Sequence, residues 1–195
     1  MKVLSVPRFA ALSLILVAVM VATRFKHVGD MLHLPDASMA LFFLGGLYLR
    51  KHIMFVLMVL LAVALDWVSI RYAGVSDFCV TAAYAFLPLA YAVLWYAGRW
   101  YAARMGESVG SFIGAFGVAL AAASLSFAIS NGSFYWLGGR YAHPHISEYV
   151  ARLGQWGPLF VRTTLTYVAV ALLAHAAVAR FVSARPAHRG TGAHS

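Results

Sequence analysis

Charged residues are scarce in this 195-residue sequence, and acidic ones are the scarcest. Only 11% of the residues are charged, with 6 Asp and Glu against 15 Lys and Arg. A soluble domain carries about 25% charged and about 45–50% apolar residues, whereas this chain is 63% hydrophobic. The composition excludes an ordinary soluble domain and predicts an all-α integral membrane protein, because an open strand in lipid would leave its backbone groups unpaired.

The sequence has a single cysteine, Cys79. This excludes an intrachain disulfide, and it excludes a multi-cysteine zinc or iron–sulfur site made by this chain alone. No nucleotide-binding glycine loop is present, so ATP hydrolysis, if it is needed, must come from a partner. The excess of cations could indicate nucleic-acid binding in a soluble protein, but in a membrane protein it first reports which loops face the cytoplasm. We therefore predict no nucleic-acid partner.

Six apolar stretches predict a six-helix transmembrane domain over residues 1–182. The spans are expected at about 8–24, 37–49, 53–70, 78–98, 108–129 and 158–182. The second stretch is short and contains Gly45-Gly46, so a tilted span and a re-entrant segment are both open. A cleaved signal peptide is the alternative for the first stretch. Residues 183–195 have no apolar period and are predicted to be a disordered cytoplasmic tail.

The distribution of cations orients these predicted spans. Nine Lys and Arg lie on the side that the two termini share, and five lie on the other side. The positive-inside rule then places both termini in the cytoplasm. The glycine- and aromatic-rich segment from about 130 to 157 is predicted to be a long outer loop that folds as a lid or binding element.

In this topology several unusual side chains converge on the outer side. Asp66 lies about 20 Å along the third span, where a carboxylate costs roughly 3 kcal/mol, so a function or an internal ion pair must explain it. Cys79 opens the fourth span, where the helix dipole favours a thiolate, although a buried small hydrophobe is the alternative. Tyr84 follows in the same span. His27 is in the first outer loop and Arg152 is in the last.

His27, Asp66, Cys79, Tyr84 and Arg152 together resemble the pattern of the BtuM family, small membrane proteins for cobalamin (vitamin B12) uptake. That family is similar to the S-components of energy-coupling factor (ECF) transporters. The resemblance covers the chain in length, span count and topology, through dispersed residues rather than a compact motif. It implies a six-helix bundle in the bacterial cytoplasmic membrane that binds its vitamin near the outer face.

The resemblance implies that Cys79 supplies a thiolate to the cobalt of cobalamin, which is bound as substrate, and that His27, Asp66, Tyr84 and Arg152 line the site. A thiolate is a soft donor that can replace the vitamin's own benzimidazole on one axial face. Arg152 can pair with the phosphate of the nucleotide loop. A thiolate opposite cyanide could also promote removal of the cyano group, so whether the protein is an enzyme as well as a transporter stays open.

The partners implied by the resemblance are cobalamin, the lipid bilayer, and either an ECF coupling subunit with its ATPases or no further protein. In S-components an Ala-x-x-x-Ala pattern on the first helix contacts the coupling subunit, and Ala18 to Ala22 looks like it.

Three other functions stay open. An S-component for another vitamin would not need Cys79. A haem-binding membrane redox protein would use His27 or His33 with a second axial ligand. An intramembrane hydrolase would use Ser133 or Cys79 as nucleophile, but no nucleophile motif is recognisable.

Overall fold

The computed structural model describes residues 6–25 and 34–183, and these residues form helices and connections without any strand. The α-helices are α1 (Val6–Arg24), α2 (Ser38–Tyr48), α3 (His52–Tyr72), α4 (Leu87–Tyr101), α5 (Val109–Leu137) and α6 (Ile146–Ser183), and a 3-10 helix, Ala82–Phe86, precedes α4. The predicted all-α architecture is confirmed for this part of the chain. Residues 184–195 of the predicted tail lie outside it.

Four of these helices, α1, α3, α5 and α6, are long and apolar enough to cross a membrane. A crossing needs about 20 apolar residues because the hydrocarbon core is about 30 Å thick. The protein is therefore embedded in a membrane. The helices α2 and α4 have only 11 and 15 residues. Six membrane crossings and a cytoplasmic location of both termini therefore stay predictions.

The short helix α2 lies at the centre of the bundle. Nine of its 11 residues are buried, and it contacts each of the other five α-helices. Its length of about 16 Å is half a membrane crossing. A short helix at membrane depth is tolerated where protein rather than lipid surrounds its ends, which explains why this stretch was ambiguous in the sequence.

Glycines allow α2 and α4 to pack with their backbones in contact. A Cβ atom on Gly46 would overlap the carbonyl group of Trp95, and one on Gly98 would overlap the carbonyl group of Phe43. Such close approach between helices is typical of small residues inside membranes. The Gly45-Gly46 pair is therefore a packing feature, and Trp95 is fully buried against it.

The prediction of a long outer loop over 130–157 is wrong. The helix α5 continues to Leu137 and α6 begins at Ile146, so only residues 138–145 connect them. The sixth helix also starts before the predicted 158 and continues through Pro158.

Aromatic packing explains why these helices extend beyond their predicted ends. The rings of Tyr135 and Tyr149 stack with centroids 5.8 Å apart, and the Tyr149 hydroxyl donates to the Ala128 carbonyl at 2.8 Å. Gly132 leaves room for that hydroxyl, since a Cβ atom there would lie 2.9 Å from it. Glycine and tyrosine, which suggested a loop, therefore join the ends of two long helices.

Candidate ligand-binding cavity

A cavity of about 620 Å³ opens at the end of the bundle where α1 ends and α4 begins, and residues from all six α-helices line it. Its volume lies within the roughly 300–1,000 Å³ of typical small-molecule sites. Four of the five predicted site residues line it, namely Asp66, Cys79, Tyr84 and Arg152. The fifth, His27, lies outside the described residues.

An ion pair between α1 and α3 forms the polar wall of this cavity. Arg24 donates from Nε to Oδ1 of Asp66 and from Nη2 to Oδ2, both at 2.7 Å. The side chains of Arg24 and Asp66 are 9% and 25% exposed. Of the two explanations for a carboxylate in this span, the internal ion pair is therefore present, and the same carboxylate also borders the cavity.

Arg24 connects this pair to two further helices, α2 and α4. Its Nη1 donates to the hydroxyl of Tyr91 at 2.7 Å and to that of Ser38 at 2.8 Å. The same atom lies 3.4 Å from Oδ2 of Asp36. Tyr84 donates its hydroxyl hydrogen to Oδ2 of Asp66 at 2.6 Å. One guanidinium thus holds the ends of α1, α2, α3 and α4 at the cavity.

Arg24 is one of the five cations of the predicted outer side, and the sequence did not identify it as the partner of Asp66. A signal was available, since a carboxylate inside a span requires a partner and Arg24 ends the neighbouring apolar stretch. Tyr91, Ser38 and Asp36 carried no comparable signal, because their contacts depend on how the helices pack.

Cys79 lies in a turn and not at the start of a helix. The 3-10 helix begins at Ala82, and α4 begins at Leu87 with Pro88 in its first turn, where a proline is well accommodated. The predicted position of Cys79 at a helix start is therefore wrong. The dipole of α4 gives no reason to expect a thiolate at Cys79, because α4 begins only at Leu87.

The exposure of Cys79 keeps its thiol available for chemistry. The residue is exposed, so the alternative of a buried hydrophobe is also wrong. Cys79 lines the 620 Å³ cavity and a second cavity of about 410 Å³, and Asp66 and Tyr84 border both. A ligand in the larger cavity can therefore meet the thiol at one edge.

Arg152 lies on α6 and not in a loop, as a consequence of the helix extension. Its guanidinium carbon lies 4.8 Å from the ring centre of Tyr141 and 5.8 Å from that of Tyr135. Its Nε is buried without a hydrogen-bond partner, as is Oδ1 of Asn131, which lines the same cavity. No carboxylate of the described residues forms an ion pair with Arg152. An anionic ligand group would complete its contacts.

The rest of the cavity wall is mainly apolar and aromatic. The rings of Phe127 and Phe160 stack with centroids 5.2 Å apart, and Trp156, which is 41% exposed, lines the same cavity. This surface suits a flat, amphipathic ligand. The arrangement thus offers a thiol at one edge, a cation that no carboxylate of residues 6–25 and 34–183 pairs with, and a wide apolar wall.

The described residues contain no group of three or more His, Cys, Asp or Glu side chains that could hold a metal ion by themselves. His27 and His33, the ligands of the haem alternative, lie outside these residues. His145 contacts Ser147 at the start of α6 and does not line the cavity.

No family model matches the chain. No curated protein matches it either.

Proposed function

We propose that the protein binds cobalamin in the 620 Å³ cavity and carries it across the bacterial cytoplasmic membrane, with Cys79 as a ligand of the cobalt. The observation that supports this most is the meeting of Asp66, Cys79, Tyr84 and Arg152 at one cavity. These residues lie on three helices and a turn, so nothing in their sequence spacing requires them to meet.

The chemistry of the lining suits the parts of this vitamin. The exposed thiol of Cys79 provides a soft axial donor for cobalt. The apolar wall around Phe127 and Phe160 accommodates the corrin ring. Arg152 pairs with the nucleotide phosphate, and Asp66 and Tyr84 contact peripheral amides. Because cobalamin is larger than the ligands that such a cavity encloses, part of it lies in the open mouth.

The face of α1 that bears Ala18 is exposed, together with Leu14 and Ile15. Ala22, the other alanine of the pattern, is half-buried. An exposed apolar face that includes Ala18 suits contact with an ECF coupling subunit, whose ATPases would supply energy, and it suits contact with lipid equally. Transport with this partner and transport without it are both compatible with the proposal.

The protein also removes the cyano group of cyanocobalamin in this proposal. A thiolate on one axial face weakens the cobalt–cyanide bond on the other. An external thiol reductant supplies an electron that converts Co(III) to Co(II), and cyanide leaves with the electron pair of its bond. Because Cys79 ligates the cobalt when the vitamin binds, the loss of cyanide accompanies binding.

The test is the visible spectrum of the detergent-purified protein with cyanocobalamin. We expect shifted corrin bands in the native protein, and unshifted bands with weaker binding in Cys79→Ala. Ser133→Ala, which also changes a polar side chain of the cavity, should keep the shifted spectrum. A spectrum that is the same in the native protein and in Cys79→Ala would remove Cys79 from the cobalt, and a haem spectrum would favour the redox alternative.

A second measurement tests the role of Arg152. Cobinamide lacks the nucleotide loop and its phosphate, so Arg152→Gln should weaken cobalamin binding by roughly tenfold or more, as expected for a lost hydrogen bond to a charged group, and leave cobinamide binding unchanged. Equal losses for both ligands would show that Arg152 does not contact the phosphate.

A further inference from the structure

The end of the bundle opposite the cavity carries cations and aromatic rings on one surface. The helix α4 begins at the cavity with Leu87 and ends at Tyr101, so its last turns lie at the other end. We define the basic-aromatic cluster as His52 at the start of α3, Tyr96, Arg99 and Trp100 on α4, and Arg104 just after it. Tyr96 and Trp100 are 43% and 56% exposed, and His52 and Arg104 are also exposed.

Neutral groups hold the two arginines of this cluster in place. Arg99 donates from Nη1 to Nε2 of His52. Because arginine can only donate, this nitrogen of His52 accepts and its Nδ1 carries the hydrogen, which Nδ1 donates to the Tyr96 hydroxyl at 2.9 Å. The guanidinium of Arg104 lies over the Trp100 ring, 4.1 Å from its centre. Both guanidinium groups are thus positioned by uncharged partners, which do not neutralise their positive charge.

No carboxylate neutralises this surface within the described part of the chain. The ion pairs found there involve Arg24 and His145 and none of the cluster cations. Glu107 is close to Arg104 in sequence but lies in none of these pairs. Lys51, beside His52, lies 4.6 Å from the ring centre of Phe9 and adds another cation. The surface is therefore complementary to an anion.

Apolar side chains continue from the cluster along α3 toward the middle of the membrane. His52, Val56 and Leu60 follow the four-residue spacing of one helix face, and Val56 and Leu60 are 46% and 59% exposed. Ile53 beside them is 60% exposed. An exposed apolar face below exposed Tyr and Trp rings is typical of a lipid-facing surface at the headgroup level.

We propose that this surface is a binding site for an anionic phospholipid. The phosphate lies between Arg99 and Arg104, the headgroup contacts Tyr96 and Trp100, and an acyl chain follows Val56 and Leu60 on α3. Clustered cations next to a membrane helix attract anionic lipids, and here the two guanidinium groups are already oriented by His52 and Trp100. The site does not depend on what the opposite cavity binds.

The experiment compares two double variants that lose the same charge. Arg99→Gln with Arg104→Gln removes the phosphate ligands. Arg71→Gln with Arg140→Gln removes two cations at the cavity end, where Arg140 lies 4.7 Å from the ring centre of Phe78 as Arg104 lies over Trp100. Each protein in neutral detergent receives phosphatidylglycerol or phosphatidylcholine with identical acyl chains. Thermal unfolding and lipid retention in native mass spectrometry are measured.

We expect phosphatidylglycerol to raise the Tm of the native protein by on the order of 5 °C, and phosphatidylcholine to raise it much less. The shift and the retained lipid should be lost in Arg99→Gln with Arg104→Gln and kept in the control. Equal shifts in both double variants, equal shifts with both lipids, or the same shift with glycerol phosphate alone would overturn the proposal.

Two single variants keep the test decisive if the first double variant does not fold. Arg104→Gln and Trp100→Leu each change an exposed side chain, and each should lower the phosphatidylglycerol shift. An undiminished shift in both variants would overturn the proposal.

Discussion

Removal of the Arg24 guanidinium should destabilise the protein more than removal of the Asp66 carboxylate, although the two form one ion pair. In Arg24→Gln, Asp66 keeps the hydrogen bond from the uncharged Tyr84 hydroxyl. No other cation of the described residues lies within 4.0 Å of its carboxylate. In Asp66→Asn, Arg24 keeps Asp36 at 3.4 Å. One variant leaves a carboxylate without a cation, and the other leaves a guanidinium with a second carboxylate.

The magnitudes follow from burial and from the bonds lost. Arg24→Gln leaves the Asp66 carboxylate without its cation, and breaking a buried pair in this way costs about 3–5 kcal/mol. Because the Asp66 side chain is 25% exposed, about 3 kcal/mol, the lower end of that range, is expected. Asp66→Asn replaces one acceptor oxygen by an NH2 donor, so at most one of the two Arg24 hydrogen bonds of 2.7 Å remains and it loses its charge, for which about 1.5–3 kcal/mol is expected. At about 2–4 °C per kcal/mol for a chain of this size, Arg24→Gln should lower the Tm by about 10 °C and Asp66→Asn by about half as much.

The assay is thermal unfolding in detergent by tryptophan fluorescence at one fixed scan rate, since unfolding of such proteins is often irreversible. The double variant Arg24→Gln with Asp66→Asn leaves no unpaired charge in the pair, so its loss should be smaller than the sum of the single losses by about 1–3 kcal/mol. Strictly additive losses would refute the ion pair. A larger loss in Asp66→Asn than in Arg24→Gln would refute the role of Asp36 as second partner.

Three further predictions concern packing, topology and chemistry. Gly46→Ala places a Cβ atom on the Trp95 carbonyl and should cost about 1–3 kcal/mol by overpacking, whereas Gly110→Ala meets open space and should leave the Tm unchanged; equal effects would contradict the α2–α4 contact. In a Cys79→Ala background, Arg50→Cys should resist an impermeant thiol reagent added outside, and external labelling would contradict the six-span topology. With excess cyanocobalamin and a thiol reductant, the native protein should release cyanide faster than Cys79→Ala, and equal rates would show that Cys79 does not promote removal of the cyano group.

Charge patterns in the sequence were informative wherever membrane burial makes a polar group costly. Asp66 could be singled out from its position in an apolar stretch, and its two explanations included the ion pair that is observed. The all-α architecture followed from composition for the same reason, since lipid offers no partner to a strand. Cys79 and Arg152 were expected near Asp66, and the fold brings them to its cavity.

Patterns that depend on protein neighbours could not be predicted in this way. Hydropathy does not distinguish a helix that faces lipid from one that faces other helices, so the central position of α2 was not visible. The glycine- and tyrosine-rich segment of α5 and α6 suggested a loop because its helical state depends on contacts such as the Tyr135–Tyr149 stack. Arg24 resembles an ordinary loop cation in the sequence, because its partner Asp66 lies 42 residues further along the chain.

The ion pair between α1 and α3 also has a consequence for how the protein is made. Arg24 and Asp66 are 42 residues apart, whereas Asp36 follows Arg24 by only 12 residues, so α1 leaves the ribosome well before its bidentate partner is synthesised. Until then the long side chain, at the last residue of α1, can reach the headgroup region and avoid the cost of a charge in hydrocarbon. Asp36 and Ser38 are the first partners of this guanidinium to be synthesised, and Asp66 of α3 follows them. The first three helices must therefore be inserted before Arg24 has its bidentate partner, and a nascent chain that stops short of Asp66 would leave this guanidinium with Asp36 and Ser38 alone.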